Sequence, residues 1–147
     1  MPDYDPIKYV DTQRQDWNQA ADAWEKWDQW FDKNMVQLNH HITSRAGVDH
    51  GHRTLDLGSG TGYPALMSAQ KVGDDGSVTG LDLSDNMLAV ARRKSEALGL
   101  DNVTFHTCDV QKIPFEDNSF DAITSRFCLM FLPHLSDTLS EAFRTLK

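Results

Sequence analysis

Three aspartates and three glycines carry the chemistry that this sequence can perform. Arg53 to Ala65 reads RTLDLGSGTGYPA. Gly58, Gly60 and Gly62 alternate with Ser59 and Thr61, and Asp56 stands just before them. Alternating glycines let a backbone turn tightly and approach a ligand with no Cβ in the way. A helix beginning just after them would turn its free amides toward the same ligand. Asp82 and Asp109 recur further on, each closing a β-favouring run. A carboxylate there can accept from the hydroxyls of a ribose or from the amino group of a base.

Those residues need strands that end together. Thr54, Leu55 and Leu57 predict a first strand. Pro64 to Val72 predicts a short helix, with the proline in its first turn. Gly73 to Gly76 is a turn and Ser77 to Leu83 a second strand. Ser84 then caps a helix that Gly99 ends. Val103 to Asp109 predicts a third strand, and Gln111 to Phe120 a polar loop. Asp121 to Phe127 predicts a fourth strand, continuing through Cys128 to Phe131. Leu135, Leu139, Ala142, Phe143 and Leu146 mark a last amphipathic helix, with Glu141 and Arg144 on its outer face. Strands alternating with helices imply an α/β fold with a doubly wound parallel sheet, whose ligands bind beyond the carboxyl ends of the strands.

Two readings of the glycine stretch compete. Gly60, Gly62 and Ala65 match the dinucleotide pattern G-x-G-x-x-A, with Asp82 standing 20 positions after Gly62. That would make a nicotinamide-dependent oxidoreductase, and it leaves Asp56 and Gly58 without a role. Alternatively, DLGSGTG (Asp56 to Gly62) resembles the first motif of the class I S-adenosylmethionine-dependent methyltransferases. GLDLSDNML resembles their second motif, and Asp109-Val110 their third element. IPFEDNSFDAI resembles the approach to their fourth strand in the small-molecule branch akin to ubiquinone/menaquinone-biosynthesis C-methyltransferases. Acids at three successive strand ends favour the second reading.

The resemblance implies a Rossmann-like fold and S-adenosyl-L-methionine as cofactor, with S-adenosyl-L-homocysteine as product. It places Gly58, Ser59, Gly60 and Gly62 under the methionine part, with Asp56 ordering the loop or meeting the amino group. Asp82, with Leu83 beside it, holds the ribose. Met87 packs near adenine, and Asp109 with Val110 reads it. Arg126 meets the cofactor or a substrate anion. Methyl transfer is a direct displacement that chiefly needs alignment and exclusion of water. An acceptor needing a base leaves His134 and His106 as the candidates nearest by topology. The N/D-P-P-Y/F stretch of base-amine methyltransferases is absent after the fourth strand.

Composition narrows the partners. Lys plus Arg is 14 against 22 Asp plus Glu, a net charge of −8. So acidic a chain is a poor binder of phosphate backbones, so a small-molecule acceptor is expected rather than a nucleic acid. Neither a bilayer-spanning run nor a basic leader with an apolar core is visible in the sequence. Cys108 and Cys128 make no disulfide framework, which suits the cytoplasm. His40, His41, His50 and His52 lack a converging ligand set, so no metal site is expected.

Residues 1–50 read as an irregular arm, Met1 to Val10, followed by a helical lid. Trp17, Ala20, Ala21, Trp24, Trp27, Phe31, Met35, Leu38 and Ile42 recur at helical spacing from Asp11 onward. Docking on the sheet is expected, with one or two aromatics reaching the ligand. Residues 51–147 read as the cofactor-binding domain, and the resemblance covers about Thr54 to Lys147, the cofactor half of such enzymes. A non-catalytic binding module is therefore a further alternative. By the family's strand order 3-2-1-4, the fourth strand is an edge, and its run Phe127 to Phe131 invites a homodimer or swapped assembly.

Overall fold

The computed structural model describes residues 5–147. The first four residues of the expected arm lie outside the described residues. From Pro6 onward there is no arm but a helix, α1 (Pro6–Arg45). Asp5 is its N-cap, accepting from the amides of Ile7 at 3.0 Å and Lys8 at 3.2 Å. Pro6 thus occupies the first helical position, where its missing N–H is no loss. The helix is 40 residues long, or about 60 Å at 1.5 Å per residue.

Four parallel strands follow with the expected connections. They are β1 (Arg53–Leu57), β2 (Ser77–Asp82), β3 (Val103–Thr107) and β4 (Ala122–Ser125), in the order β3-β2-β1-β4. Helices α2 (Ala65–Val72), α3 (Asp85–Ala97) and α4 (Leu135–Thr145) complete the fold. Alternate residues of a strand face opposite ways, so the sheet buries apolar side chains on both faces. Leu66, Ala69, Val78, Leu88, Val103 and Phe105 form one core layer. Leu55, Leu57, Leu81, Ile113 and Phe120 form the other. Leu55, Leu66, Leu81 and Leu88 are wholly buried, each contributing roughly 2 kcal/mol.

Several boundaries differ from the sequence reading. Pro64 is the N-cap of α2 rather than a residue of its first turn. Strand β2 stops at Asp82 and β3 at Thr107, so Leu83, Cys108 and Asp109 stand just beyond the sheet. The larger correction concerns β4, which ends at Ser125 instead of running to Phe131. Phe127 adopts φ +55°, which a strand cannot continue through. Leu129–Phe131 then forms a 3₁₀ turn. The apolar run is therefore not part of the edge strand β4; Phe127, Cys128, Met130 and Phe131 line a cavity at the carboxyl end of the sheet. No helix among the described residues is long and apolar enough to cross a membrane.

Beside the glycine turn, β1 and β4 are joined by a buried polar pair. Asp56 lies opposite Thr124 in the ladder, and the Thr124 hydroxyl donates to its Oδ1 at 2.7 Å. Asp56 is fully buried and its Oδ2 has no partner among the described residues. Burial pushes its pKa from 3.8 up to about 7, against the opposing pull of Thr124 and Ser59. The folded protein thus keeps this proton at pH values where the unfolded chain has lost it. The group's stabilisation is full below about pH 3.8 and falls as pH rises toward 7. Urea unfolding of the parent and Asp56→Asn at pH 4.5 and 7.5 should show the parent losing ground to the variant at the higher pH. A difference independent of pH would contradict the buried, protonated carboxyl.

Candidate functional site

The carboxyl ends of the strands open into a cavity of about 430 Å³. Its floor is the glycine turn. The amides of Gly58 and Ser59 both donate to the Leu81 carbonyl, at 2.8 and 2.9 Å, and Gly62 donates to the Ser59 carbonyl at 2.8 Å. Gly58 has φ +71°, and an added Cβ would collide with the Cys128 side chain. Gly60 has φ +52° and faces open space where its Cβ would stand. The turn is thus both conformationally restricted and bare on its ligand side.

Asp82 ties this floor to the next element. Its Oδ2 accepts from the Gly60 amide and its Oδ1 from the Ser84 amide, both at 2.8 Å. Desolvation raises its pKa, while hydrogen bonds from Ser84, Gly60 and Leu83 oppose the rise. Ser84 in turn caps α3, accepting from the Met87 amide at 3.1 Å. Met87 is buried and, with Leu83 and Val110, gives the cavity an apolar wall. Asp109 lies at the same rim, where its carboxylate accepts from the Gln111 amide and from Gln111 Nε2.

The opposite wall is aromatic and comes from α1. Trp17 and Trp24 line the cavity, and Trp17 meets Phe131 edge-on with ring centres 5.2 Å apart. Trp27 and Trp30 are more than half exposed and take no part. Polar contacts fix the helix over the sheet. Asn18 Oδ1 accepts from the Ser84 hydroxyl at 2.7 Å, and Lys94 on α3 pairs with Asp28 at 2.7 Å and Asp32 at 3.4 Å. Near the other end, Asn39 Oδ1 accepts from Arg126 Nη1 at 2.9 Å.

The structure therefore gathers Asp82, Leu83, Met87, Asp109, Val110, Arg126 and the Gly58–Gly60 turn around one cavity, with Asp56 buried beneath and Gly62 closing the turn. His106 and His134 stand elsewhere. Both are exposed and neither lines the cavity. His106 projects from an edge strand, and His134 spends its amide on Gln111 at the start of α4. Cys108 and Cys128 do line it, but burial pushes their thiols up to about 11 and about 12, which keeps them protonated and poor as nucleophiles. Sequence reasoning passed over Asn18, Asn39, Tyr63 and Gln111. Asn39 left a usable trace: it is a polar residue four positions after Met35, on the apolar stripe, and a buried amide needs a partner.

Residues 54–147 match the family described as a methyltransferase domain. The chain is 41% identical over 115 residues to a demethylmenaquinone methyltransferase of Geobacillus kaustophilus, a match covering 78% of this chain and 49% of that relative. It spans about half the length of the curated relatives it matches. A SAM-dependent methyltransferase from Aquifex aeolicus superposes with a TM-score of 0.72 at 26% identity, over 98% of this chain and 68% of that one. An arsenic(III) S-adenosylmethionine methyltransferase from Chlamydomonas reinhardtii superposes at 0.62 with 37% identity, over 69% and 36%. By its glycine turn, its strand order and these likenesses, the chain belongs to the class I S-adenosylmethionine-dependent methyltransferases.

Proposed function

We propose that this chain is the cofactor-binding part of an enzyme that methylates a small, planar aromatic acceptor. One observation carries the reading: a bare glycine cradle and an aromatic wall share a single continuous cavity. The demethylmenaquinone specificity in the name of the Geobacillus relative agrees with an aromatic acceptor. The oxidoreductase reading leaves Asp56 and Gly58 without a role, although Asp56 is the buried foundation of the turn. We also place the enzyme in the cytoplasm, where the free thiols of Cys108 and Cys128 persist.

The residues present suit S-adenosylmethionine. Gly60 leaves its ligand side open, and the carboxylate of Asp82 keeps lone pairs beyond the two that the amides use. Those lone pairs would accept from the ribose hydroxyls. Met87 and Val110 would flank the adenine, and Asp109 would share its oxygens between Gln111 and the adenine amino group. When bound, the cofactor supplies a sulfonium-activated methyl group. The chain's own residues then have limited tasks. Trp17, Trp24 and Phe131 hold the acceptor ring and keep water out, and the glycine turn fixes the line of approach. Proton removal falls to neither His106 nor His134, since neither faces the cavity.

Calorimetric titration with S-adenosylhomocysteine should give saturable binding, with none for NAD. Asp82→Ala should weaken it at least about tenfold, the worth of a charge-assisted hydrogen bond. Preferential binding of NAD would sink the methyltransferase reading. Gly58→Ala should cost on the order of 1–3 kcal/mol in urea unfolding, through backbone strain at positive φ. On a Cys128→Gly background, which removes the Cβ that Gly58 faces, Gly58→Ala should cost less but still something, because the strain stays; no cost there would show that the clash alone matters. For the acceptor, 2-naphthol should quench tryptophan fluorescence saturably. Trp17→Ala should weaken that binding about tenfold, from lost area and ring contact, with S-adenosylhomocysteine affinity unchanged. Equal 2-naphthol binding by both proteins would move the acceptor site away from α1.

A further inference from the structure

Arg126 is a cation at the cavity wall, and among the described residues most of its donors are unspent. A guanidinium offers five N–H groups in a planar fork. Here Nη1 donates to Asn39 Oδ1 at 2.9 Å, and no carboxylate among the described residues comes within 4.0 Å of the group. The acids around it are already engaged. Lys94 holds Asp28 and Asp32, and Thr124 donates to Asp56. That leaves the guanidinium fork for something else. Asn39 is 1% exposed, so its side chain is fixed, and it fixes the arginine in turn.

The strand order says what that something is. Along the carboxyl edge the sheet runs β3-β2-β1-β4. Asp109 follows β3, Asp82 ends β2, the glycine turn follows β1 and Arg126 follows β4. A ligand whose base lies over β3 and whose ribose lies over β2 crosses the turn and arrives at β4. The span is three strand spacings, about 14 Å at ~4.8 Å each. The far end of S-adenosylmethionine is an amino acid, and a carboxylate matches a guanidinium fork in charge and shape.

We infer that Arg126 is the receptor for the carboxylate of the cofactor's amino-acid end, and that Asn39 is its positioning residue, which makes helix α1 part of the cofactor site. This rests on the cofactor reading above. It makes the cavity selective for the complete amino-acid nucleoside over a truncated one.

Two ligands separate the possibilities. S-adenosylhomocysteine carries the amino acid; 5′-methylthioadenosine has the same nucleoside and sulfur without it. In calorimetry, Arg126→Met should weaken the first by about tenfold or more and leave the Kd of the second unchanged. Arg126→Lys, which keeps the charge without the fork, should fall between. Asn39→Ala should show a smaller loss, again for S-adenosylhomocysteine alone. Unchanged S-adenosylhomocysteine binding by Arg126→Met would overturn the inference. So would an equal loss for both ligands, which would mark a merely structural arginine. Binding of 5′-methylthioadenosine but not S-adenosylhomocysteine by the parent would overturn it too. Failure of both ligands on the folded parent would bring down the cofactor reading itself.

Discussion

The Asp82 carboxylate, shared between the amides of Gly60 and Ser84, is the contact on which the rest of the site depends. One oxygen holds the middle of the glycine turn and the other holds the start of α3. A two-point acceptor of this kind fixes β1's loop against β2's end more firmly than a neutral contact could, because hydrogen bonds to a charged group are stronger. Ser84, so placed, can cap α3 and receive Asn18 from α1 at once. The floor, the start of α3 and one anchor of the overhanging helix are therefore linked through one side chain at the carboxyl end of one strand.

That arrangement has an electrostatic cost, and the sheet distributes it. Asp56 is entirely buried with a single donor to one of its oxygens, and burial drives it toward the protonated form. Asp82 feels the same pressure but meets it with backbone donors. Two acids at adjacent strand ends are thus separated by environment: one leans to neutrality under the turn, the other faces the cavity. Arg126 adds a positive charge just after β4; desolvation lowers its pKa, and the acids Asp56, Asp32 and Asp28 oppose the fall. The polar side chains divide along the sheet: acids stand over β3, β2 and β1, and the cation stands after β4. That polarity suits a ligand with a hydroxyl-rich or amino-bearing end and an acidic end.

Much of this was legible in the chain, for physical reasons that differ by element. The glycine turn could be read because glycine takes positive φ at the least cost, and Gly58, Gly60 and Gly62 all do so directly after a strand. The acids could be read because strand ends are marked by where apolar runs stop. The end of β4 could not be read, since Phe127 to Phe131 has the composition of a strand and its departure is a tertiary effect. Cys128 fills the space that Gly58 leaves open, and Phe131 meets Trp17, a residue more than a hundred positions away. Those contacts outweigh β propensity, which chiefly reports how well a side chain suits a pleated, half-buried surface. Pro6 was misread for the opposite reason. A proline near a terminus looks like irregular chain unless the residue before it is recognised as a cap, as Asp5 is.

Helix α1 shows how sequence economy and function meet. Its fully buried residues are only Ala21, Asn39 and Thr43, and two of the three are polar. Apolar burial alone therefore specifies its seat weakly. The seat is specified instead by contacts with direction: Asn18 on Ser84, Lys94 on Asp28, and Asn39 on Arg126. The outer two lie 21 residues apart in sequence, about 31 Å along the axis. They meet the rest of the fold beside Asp82 and just after β4. Trp17, just before the first of them, and Trp24, between them, face the cavity. A helix held by a few polar points and carrying half-buried aromatics belongs to the less stable part of a fold, from which covering elements are drawn. Its polar anchors set where it lies, and its tryptophans set what it covers.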